Sequence, residues 1–449
     1  MDTQTLQRRR QVLAQHFSDS ALLWSGRPAS RNFPANTYPF RASSHFLYFA
    51  GVALENAVIH LEQGNLTLFY DNPTAASALW HGASADRETV ATTIGADEAY
   101  PLSELSKFSD AASLPVFDSR TQQQQQTLLQ RPLDITQSSR DRQLAAAIVQ
   151  ARLVHDHAAI AEVRRAIAVS IEAHRTGMQI TQPGKTEATV RAAMEAVIQQ
   201  ADFSPAYGSI VTVRGEVLHN NIYSNELVNG ELLLADVGAE TDTGWASDIT
   251  RTWPVSGKFS STQQELYEVV LNAHRCVDLI KPSAEYRDIH LDACLAIAEG
   301  LVELKILKGN PADLVEQDAH ALFFPHGVGH LLGLDVHDME DLGDLAGYAD
   351  GRTRSPRFGL GYLRLDRPLQ AGMIVTIEPG FYQVPAILQD PKIRDRYQDL
   401  VNWERLADFA DVRGIRIEDD VLVTETGADV LTAQLPKEPA DIEQLCSGP

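Results

Sequence analysis

The sequence predicts an α/β (α+β) protein in which a smaller mixed α/β domain precedes a larger carboxyl-terminal domain. Its 449 residues exceed what one hydrophobic core normally organises, so two domains are expected. Short β-rich segments come first, a long helical stretch follows, and helices mix with strands after it. We therefore place the amino-terminal domain at residues 1–140, a helical connector at 141–175 and the carboxyl-terminal domain at 176–449.

The amino-terminal region contains apolar, β-rich segments that proline and glycine interrupt. One β-hairpin is readable there, with strands at 58–61 and 66–70 and a turn at 62–65 that includes Gly64. A glutamine run at 122–126 indicates a loop or a solvated helix face. These features are typical of a small domain that combines a sheet with helices.

The predicted connector, residues 141–175, has the composition of long helices. Alanines alternate with charged residues throughout it, without an interior proline or glycine. Beyond Pro183 and Gly184 the chain mixes helical periodicity, as in 266–280, with apolar runs that end in acidic residues. We therefore expect strands and turns to carry the functional side chains of the larger domain.

The composition excludes several classes of partner. The chain has 38 Lys and Arg against 60 Asp and Glu, a formal net charge of -22, which repels phosphate backbones and anionic lipid. We expect no nucleic acid partner and no membrane association, since no stretch approaches the ~18 apolar residues of a membrane helix. Three scattered cysteines without CxxC spacing indicate neither a disulfide framework nor a thiolate metal site, which favours the cytoplasm.

Two aspartates flank a predicted hairpin in the segment ELLLADVGAETDTGWASDITRTWPV. An apolar run ends directly at Asp236, and a turn that contains glycine follows. If the turn centres on Asp242, then Asp236 and Asp248 face each other on one side of the sheet. Facing carboxylates repel each other, and a bound cation removes that repulsion. In the alternative interpretation, one aspartate caps the turn and the other pairs with Arg251.

Three histidines lie close together in FFPHGVGHLLGLDVHD, at His326, His330 and His337. The spacing of the first two is that of a helical zinc-protease motif, but the glutamate that this motif needs is absent and glycines intervene. Neutral imidazole is a common metal ligand, and the other two histidines suit hydrogen bonds to a substrate carbonyl or an oxyanion. A lone histidine is more often a core or surface residue, whereas three together on a glycine-flanked apolar run indicate a site.

Two glutamates lie at the ends of apolar strands further along. Glu378 follows the apolar run 373–377 and precedes Pro379, and Glu418 shares a strand face with Arg416 in GIRIEDDVLVT. Each alone could be a salt-bridged strand end. With the two aspartates and one histidine they form a set of hard oxygen ligands with a single imidazole.

This ligand set also predicts the kind of metal. Hard oxygens with one imidazole favour Mn²⁺, and Co²⁺ or Zn²⁺ would also be accepted. Four carboxylates are too many for one ion. Two divalent metal ions ~3.5 to 4 Å apart, bridged by carboxylates and a hydroxide, would balance the charge and generate a nucleophile at neutral pH. The residues therefore indicate hydrolytic chemistry.

At these residues the sequence resembles the proline-specific branch of the pita-bread metallopeptidases, which contains aminopeptidase P (Xaa-Pro aminopeptidase) and prolidase (Xaa-Pro dipeptidase). The resemblance is carried, in chain order, by DVGAETDTGWASDITRT, HGVGHLLGLDVHD, TIEPGFY and GIRIEDD. It extends into the first domain through RNFPANTYPFRASSHFLYFAGV and the stretch around Trp80, which look like the amino-terminal domain of aminopeptidase P. It implies a pita-bread catalytic domain at 176–449 and an aminopeptidase-P-like domain at 1–140.

The resemblance also implies a role for each residue. The metal ligands would be Asp236, Asp248, His330, Glu378 and Glu418. A metal-bridging hydroxide would attack the carbonyl before proline, while His337 steadies the tetrahedral intermediate and Glu378 passes a proton to the leaving nitrogen. The catalytic residues would be Glu378, His337 and His326, and the substrate-binding residues His219, His326, His337, Arg364, Arg416 and Trp80.

The implied activity is that of an Xaa-Pro aminopeptidase, on peptide substrates with proline in the second position. The alternative is a prolidase, because the segment 339–364 is long, as in prolidases, and ends at Arg364, where a guanidinium would hold the carboxylate of a dipeptide. A methionine aminopeptidase normally lacks so long an amino-terminal domain. The intact ligand set disfavours a creatinase and a non-catalytic binding relative. The family further implies a homodimer or homotetramer.

Overall fold

A computed structural model describes residues 1–447, and the chain divides into two units, Met1–Val154 and the remainder from His155. The boundary falls inside the stretch predicted as a connector. One helix, Arg140–Arg152, ends the first unit, and a second, His157–Ile180, begins the other. Asp156 starts the second helix, because its carboxylate accepts a hydrogen bond from the Ala159 amide. The predicted mixed α/β composition is confirmed in both units.

The amino-terminal unit is built on one five-stranded mixed sheet. Its elements are α1 (Thr3–His16), β1 (Ala21–Trp24), β2 (Ser30–Phe33), β3 (Asn36–Thr37), α2 (Ser44–Ala50), β4 (Val58–Glu62), β5 (Asn65–Phe69), α3 (Ala75–His81), α4 (Arg87–Ile94), β6 (Glu98–Tyr100), β7 (Ala112–Ser113), α5 (Ser119–Leu129) and α6 (Arg140–Arg152). The sheet has the strand order β6-β5-β4-β1-β7, and β2 pairs with β3 separately. The apolar core of this unit includes Leu22, Trp24, Val58, Phe69 and Leu129.

Strands β4 and β5 form the hairpin that the sequence predicts. Glu62 pairs with Asn65, so the turn consists of Gln63 and Gly64, whose φ angles of 51° and 84° are both positive. Positive φ at both positions is the geometry that matches the right-handed twist of the strands. The glutamine run lies in α5, and Gln125 is buried, with its amide donating to the Leu114 carbonyl oxygen at 2.7 Å.

The carboxyl-terminal unit combines small antiparallel sheets with paired helices. Its elements are α7 (His157–Ile180), α8 (Glu187–Gln200), β8 (Ser204–Pro205), β9 (Ile210–Thr212), β10 (Leu232–Asp236), β11 (Ala239–Glu240), β12 (Thr250–Pro254), α9 (Ser261–His274), α10 (Tyr286–Glu303), α11 (Pro311–Glu316), α12 (Asp344–Gly347), β13 (Ile374–Ile377), β14 (Gly380–Tyr382), α13 (Pro385–Leu388), α14 (Pro391–Arg396), α15 (Trp403–Ala407), β15 (Gly414–Arg416), β16 (Asp419–Val423), β17 (Ala428–Val430) and α16 (Pro439–Cys446). Helix α7 packs against α8, and α9 packs against α10. None of the helices within residues 1–447 combines the length and apolarity that a bilayer crossing requires.

Hydrogen bonds between the sheets bring their strand ends together. The sheets have the orders β12-β10-β9, β13-β16-β17, β14-β15 and β11-β8. The Glu418 amide donates to the Thr250 carbonyl oxygen at 3.0 Å, and the Thr376 amide donates to the His330 carbonyl oxygen at 3.0 Å. Arg251 is fully buried and bonds the Glu418 carbonyl oxygen at 2.6 Å. These contacts place the ends of β10, β12, β13 and β16 around one point.

Candidate metal centre

The five predicted metal ligands line one cavity of about 460 Å³ in the carboxyl-terminal unit. Strand ends position four of them, and a loop that pairs with β13 positions the histidine. Asp236 is the last residue of β10, Asp248 lies just before β12, His330 lies in the loop, Glu378 follows β13 and Glu418 precedes β16. The fold therefore gathers residues that are up to 182 positions apart in the chain.

The ligand atoms are close enough to share metal ions. One atom each from Asp248, His330 and Glu418 lie within 4.8 Å of one another. The His330 Nε2 atom is 3.4 Å from Asp248 Oδ2 and 3.6 Å from Glu378 Oε1. His330 Nδ1 lies 3.0 Å from the Leu331 carbonyl oxygen and must donate to it, because a carbonyl only accepts. The lone pair of Nε2 therefore faces the carboxylates, as a metal ligand requires.

Crowding of buried carboxyl groups raises their pKa values. Burial, and next the charge of Asp236, raises the pKa of Asp248 to about 8. Burial also raises the pKa of Glu378 to about 7 and the pKa of Glu418 well above its ordinary value. Divalent cations would offset both the cost of burying the charged carboxylates and their mutual repulsion, which together keep these groups protonated. The donor set therefore fits a pair of hard metal ions.

Two residues that the sequence did not reveal support the ligands. The Tyr207 hydroxyl oxygen is 2.6 Å from Asp236 Oδ1 and 2.5 Å from Asp248 Oδ1, so one O–H donor is shared by two carboxylates. The Thr250 hydroxyl donates to Glu418 Oε2 at 2.6 Å. No periodicity marks Tyr207. Thr250 pairs with Asp236 in the ladder between β10 and β12, so a correct prediction of the hairpin register would have identified Thr250.

The prediction that Asp236 and Asp248 face each other directly is wrong by two positions. Asp236 pairs with Thr250, because the turn between the strands centres one residue later than predicted. Asp248 still lies on the same side of the sheet, since alternate residues share a face. Gly238 explains the close fit of the hairpin: a Cβ atom there would lie 1.9 Å from the Ser247 carbonyl oxygen.

Arg416 is buried and holds Asp236 in place. Its Nη2 atom donates to Asp236 Oδ2 at 2.6 Å, its Nε to the Thr250 hydroxyl at 3.0 Å and its Nη1 to the Tyr382 hydroxyl at 3.1 Å. The Tyr382 hydroxyl in turn bonds His326 Nε2 at 2.9 Å. Because His326 Nδ1 donates to the next backbone carbonyl, both ring nitrogens of this histidine are engaged by the protein. Burial lowers the pKa of His326 to about 3, so its ring is neutral.

The other predicted substrate-binding residues occupy different places. His219 is an exposed residue that lines the cavity, and partial burial of its ring lowers its pKa. His337 and Arg364 line the same cavity, and both contact Glu340, which the sequence did not single out. Trp80 lies on α3 in the amino-terminal unit with 78% of its surface exposed.

Comparisons with known proteins agree with this geometry. The model of metallopeptidase family M24 matches residues 161–425, and that of the aminopeptidase P N-terminal domain matches residues 6–114. The chain is 30% identical to the Xaa-Pro aminopeptidase of Escherichia coli K12 over 466 positions, covering 98% of this chain and 97% of the relative. It is 31% identical to the Xaa-Pro aminopeptidase of Haemophilus influenzae over 451 positions, covering 98% and 96%.

Solved structures show the same likeness. The Pseudomonas aeruginosa aminopeptidase PepP superposes with a TM-score of 0.81 at 28% identity, covering 100% of this chain and 98% of that one. Aminopeptidase P from Escherichia coli with the inhibitor Pro-Leu gives a TM-score of 0.80 at 28% identity, with the same coverage. The resemblance found in the sequence is confirmed. The chain belongs to metallopeptidase family M24 and carries an amino-terminal domain of the aminopeptidase P type.

Proposed function

We propose that this chain uses divalent metal ions to hydrolyse the peptide bond between an N-terminal residue and a following proline. The observation that carries the proposal is the group of buried carboxylates around His330 Nε2, formed where the strands of the M24 region end. The relatives that align along nearly the whole chain are named Xaa-Pro aminopeptidases. They do not favour the dipeptidase alternative.

The five ligands would hold two metal ions, and we propose Mn²⁺, with Co²⁺ and Zn²⁺ as acceptable substitutes. Among the proposed ligands, carboxylate oxygens outnumber the single imidazole, and the described residues of the cavity wall include no thiol, which supports a hard cation. When bound, the ions supply a water nucleophile that ionises near neutral pH. The ligands are Asp236, Asp248, His330, Glu378 and Glu418.

Side chains of the cavity would perform the proton transfers and hold the substrate. Glu378, whose Oε1 atom is 3.6 Å from His330 Nε2, would take a proton from the attacking water and give it to the departing proline nitrogen. His337 would steady the tetrahedral intermediate by donating through Nε2 in its protonated form, because its Nδ1 already donates to Glu340, and His219 would bind the peptide. Arg416 acts through Asp236, whose carboxylate it orients.

One assay tests the proposed function. Metal-free protein reloaded with Mn²⁺ is given Xaa-Pro, Xaa-Pro-Yaa and Xaa-Ala-Yaa peptides, and the release of the first residue is measured. We expect cleavage of Xaa-Pro-Yaa, no cleavage of Xaa-Ala-Yaa and no turnover by Glu378→Ala. The variant Asp429→Asn removes a carboxylate from an exposed ion pair with Arg164 and should remain fully active. No hydrolysis of any proline peptide by the reloaded protein would contradict the proposal, and cleavage of Xaa-Pro alone would favour the dipeptidase.

We also propose that the protein is a cytoplasmic homodimer or homotetramer, as the family resemblance implies. The three cysteines are free, and Cys276 and Cys294 are buried, which suits a reducing compartment. Light scattering after size-exclusion chromatography measures the assembly. A monomer at micromolar concentration would contradict the oligomer.

A further inference from the structure

Glu340 joins two of the side chains that line the cavity. Its Oε2 atom is 2.5 Å from His337 Nδ1, and its Oε1 atom accepts a hydrogen bond from Arg364 Nη1. The hydrogen bond from His337 lowers the pKa of Glu340 to about 2, so the group is an anion at neutral pH. Glu340 opens a 3₁₀ helix, Glu340–Leu342, directly after Met339, whose φ of 59° turns the chain back towards His337.

The guanidinium groups of the cavity wall are all paired with acidic groups. Arg416 is held by Asp236, and Arg354 donates to Asp344 at 2.9 Å. Arg364 is paired with Glu340. Of these three arginines, Arg364 and Arg354 have partly exposed side chains, at 36% and 40%, whereas that of Arg416 is 5% exposed. A planar guanidinium binds a carboxylate through two parallel hydrogen bonds, and Glu340 already engages Arg364 through Nη1 and offsets its charge.

The position of the substrate carboxylate depends on peptide length. In a dipeptide Xaa-Pro the free carboxylate belongs to the proline, one residue of about 3.5 Å beyond the bond that is broken. In Xaa-Pro-Yaa the same place is taken by a neutral amide. A carboxylate of the protein next to Arg364 would therefore compete with the dipeptide carboxylate and repel it, and would leave the longer peptide unaffected.

We propose that Glu340 is a specificity-determining residue, which neutralises Arg364 and thereby directs the enzyme towards peptides longer than Xaa-Pro. The proposal rests on the proposed function and deepens it, since it names the length of the preferred substrate. Glu340 acts through Arg364 and is a positioning residue. It selects by excluding a competing substrate and not by binding the preferred one.

The test compares kcat/KM for Ala-Pro and Ala-Pro-Ala in four Mn²⁺-loaded proteins: the wild type, Glu340→Gln, Arg364→Ala and the double variant. We expect Glu340→Gln to raise the dipeptide-to-tripeptide ratio about tenfold, mainly through a lower KM for the dipeptide, because the freed guanidinium gains a charge-assisted bond. We expect the double variant to lose that gain. Asp429→Asn is the matched control, since it removes one carboxylate of similar exposure, 43% against 47%, from another ion pair with arginine.

A ratio that stays unchanged or falls in Glu340→Gln would overturn the proposal, and so would a gain that persists without Arg364. A purely structural role of Glu340 would lower kcat/KM for both peptides together, which also overturns it. If the wild type cleaves neither peptide, the proposed function itself is wrong. This outcome differs from failure of the Glu340 proposal, which is measured as a ratio of kcat/KM values in active proteins.

Discussion

Without its metal ions, the protein should lose stability as the pH rises from 6.5 to about 8. The pKa of Asp248 is 3.8 in an unfolded chain and about 8 in the metal-free fold. Between these values the folded state holds a proton that the unfolded state has lost, so the free energy of unfolding decreases by ~1.4 kcal/mol for each pH unit. Glu378, with its pKa raised from 4.5 to about 7, adds to the decrease at the lower end of this interval.

Buried histidines have the opposite effect at lower pH. Burial lowers the pKa of His174 to about 4 and that of His326 to about 3, from 6.5. Their neutral rings stabilise the fold fully only about one pH unit above 6.5, and this contribution is lost as the pH falls, because the unfolded chain takes up protons first. Between pH 6.5 and about 7.5 each such histidine therefore still adds ~0.4 kcal/mol, and above that interval only the carboxyl effect remains. Between pH 6.5 and pH 8, titration of Asp248 alone should reduce the free energy of unfolding of the metal-free protein by about 2 kcal/mol.

Urea unfolding in the presence of a chelator measures this loss. Trp245 and Trp253 are buried in the carboxyl-terminal unit, and their fluorescence reports its unfolding. Saturating Mn²⁺ should abolish the decrease, because bound cations favour the ionised carboxylates and bind more tightly as the pH rises. Asp248→Asn keeps the size of the side chain without its titration, so the metal-free variant should lose less stability over the same interval. A metal-free wild type whose stability is constant or increases between pH 6.5 and 8 would refute the reasoning.

Three substitutions test the supports of the site. Gly238→Ala should destabilise the protein by about 3 kcal/mol or more, measured by thermal unfolding, because its Cβ would meet the Ser247 carbonyl oxygen; a wild-type Tm would contradict this. Tyr207→Phe should lower the Tm of the metal-free protein more than that of the Mn²⁺-loaded protein, since a cation replaces the lost hydroxyl donor; an equal loss in both forms would disagree. Arg251→Ala should cost about 3 kcal/mol in urea unfolding, because buried Asp419 would lose its guanidinium partner at 2.7 Å and would be left with Lys437 and His274. A loss below ~1 kcal/mol would show that the Arg251–Asp419 pair is not needed.

The strand ends that carry acidic residues could be predicted because local pattern determines them. Apolar runs lead directly into Asp236 and Glu378, and both residues lie at strand ends in the structure. The alternation of apolar and charged residues in GIRIEDD predicts that Arg416 and Glu418 share one strand face, and both residues line the cavity. Such patterns are properties of a few consecutive residues, and burial of the apolar face is enough to enforce them.

Features that depend on contacts between distant residues were not predictable. The register of the β10–β12 hairpin follows from the approach of Gly238 to Ser247, which no local pattern records. Tyr207 reaches the two aspartates from a segment 29 residues before Asp236. The break between α6 and α7, in contrast, could have been predicted from the sequence. Asp156 is a residue type that caps helices, but the helical composition on both sides of it favoured one continuous helix.

The choice between aminopeptidase and dipeptidase shows why an arginine in a matching position is a weak indicator of substrate. What a guanidinium recognises depends on the acidic groups that already contact it, and these are set by the fold. In the segment 339–364 the arginines are consistently paired: Arg352 with Glu285 and Asp366, Arg354 with Asp344, Arg357 with Asp318 and Arg364 with Glu340. Glu340 lies 24 residues before Arg364, so sequence spacing gives no hint of their contact. A dipeptide carboxylate must therefore compete with a carboxylate that the chain itself supplies, and the preference for longer peptides follows from that competition.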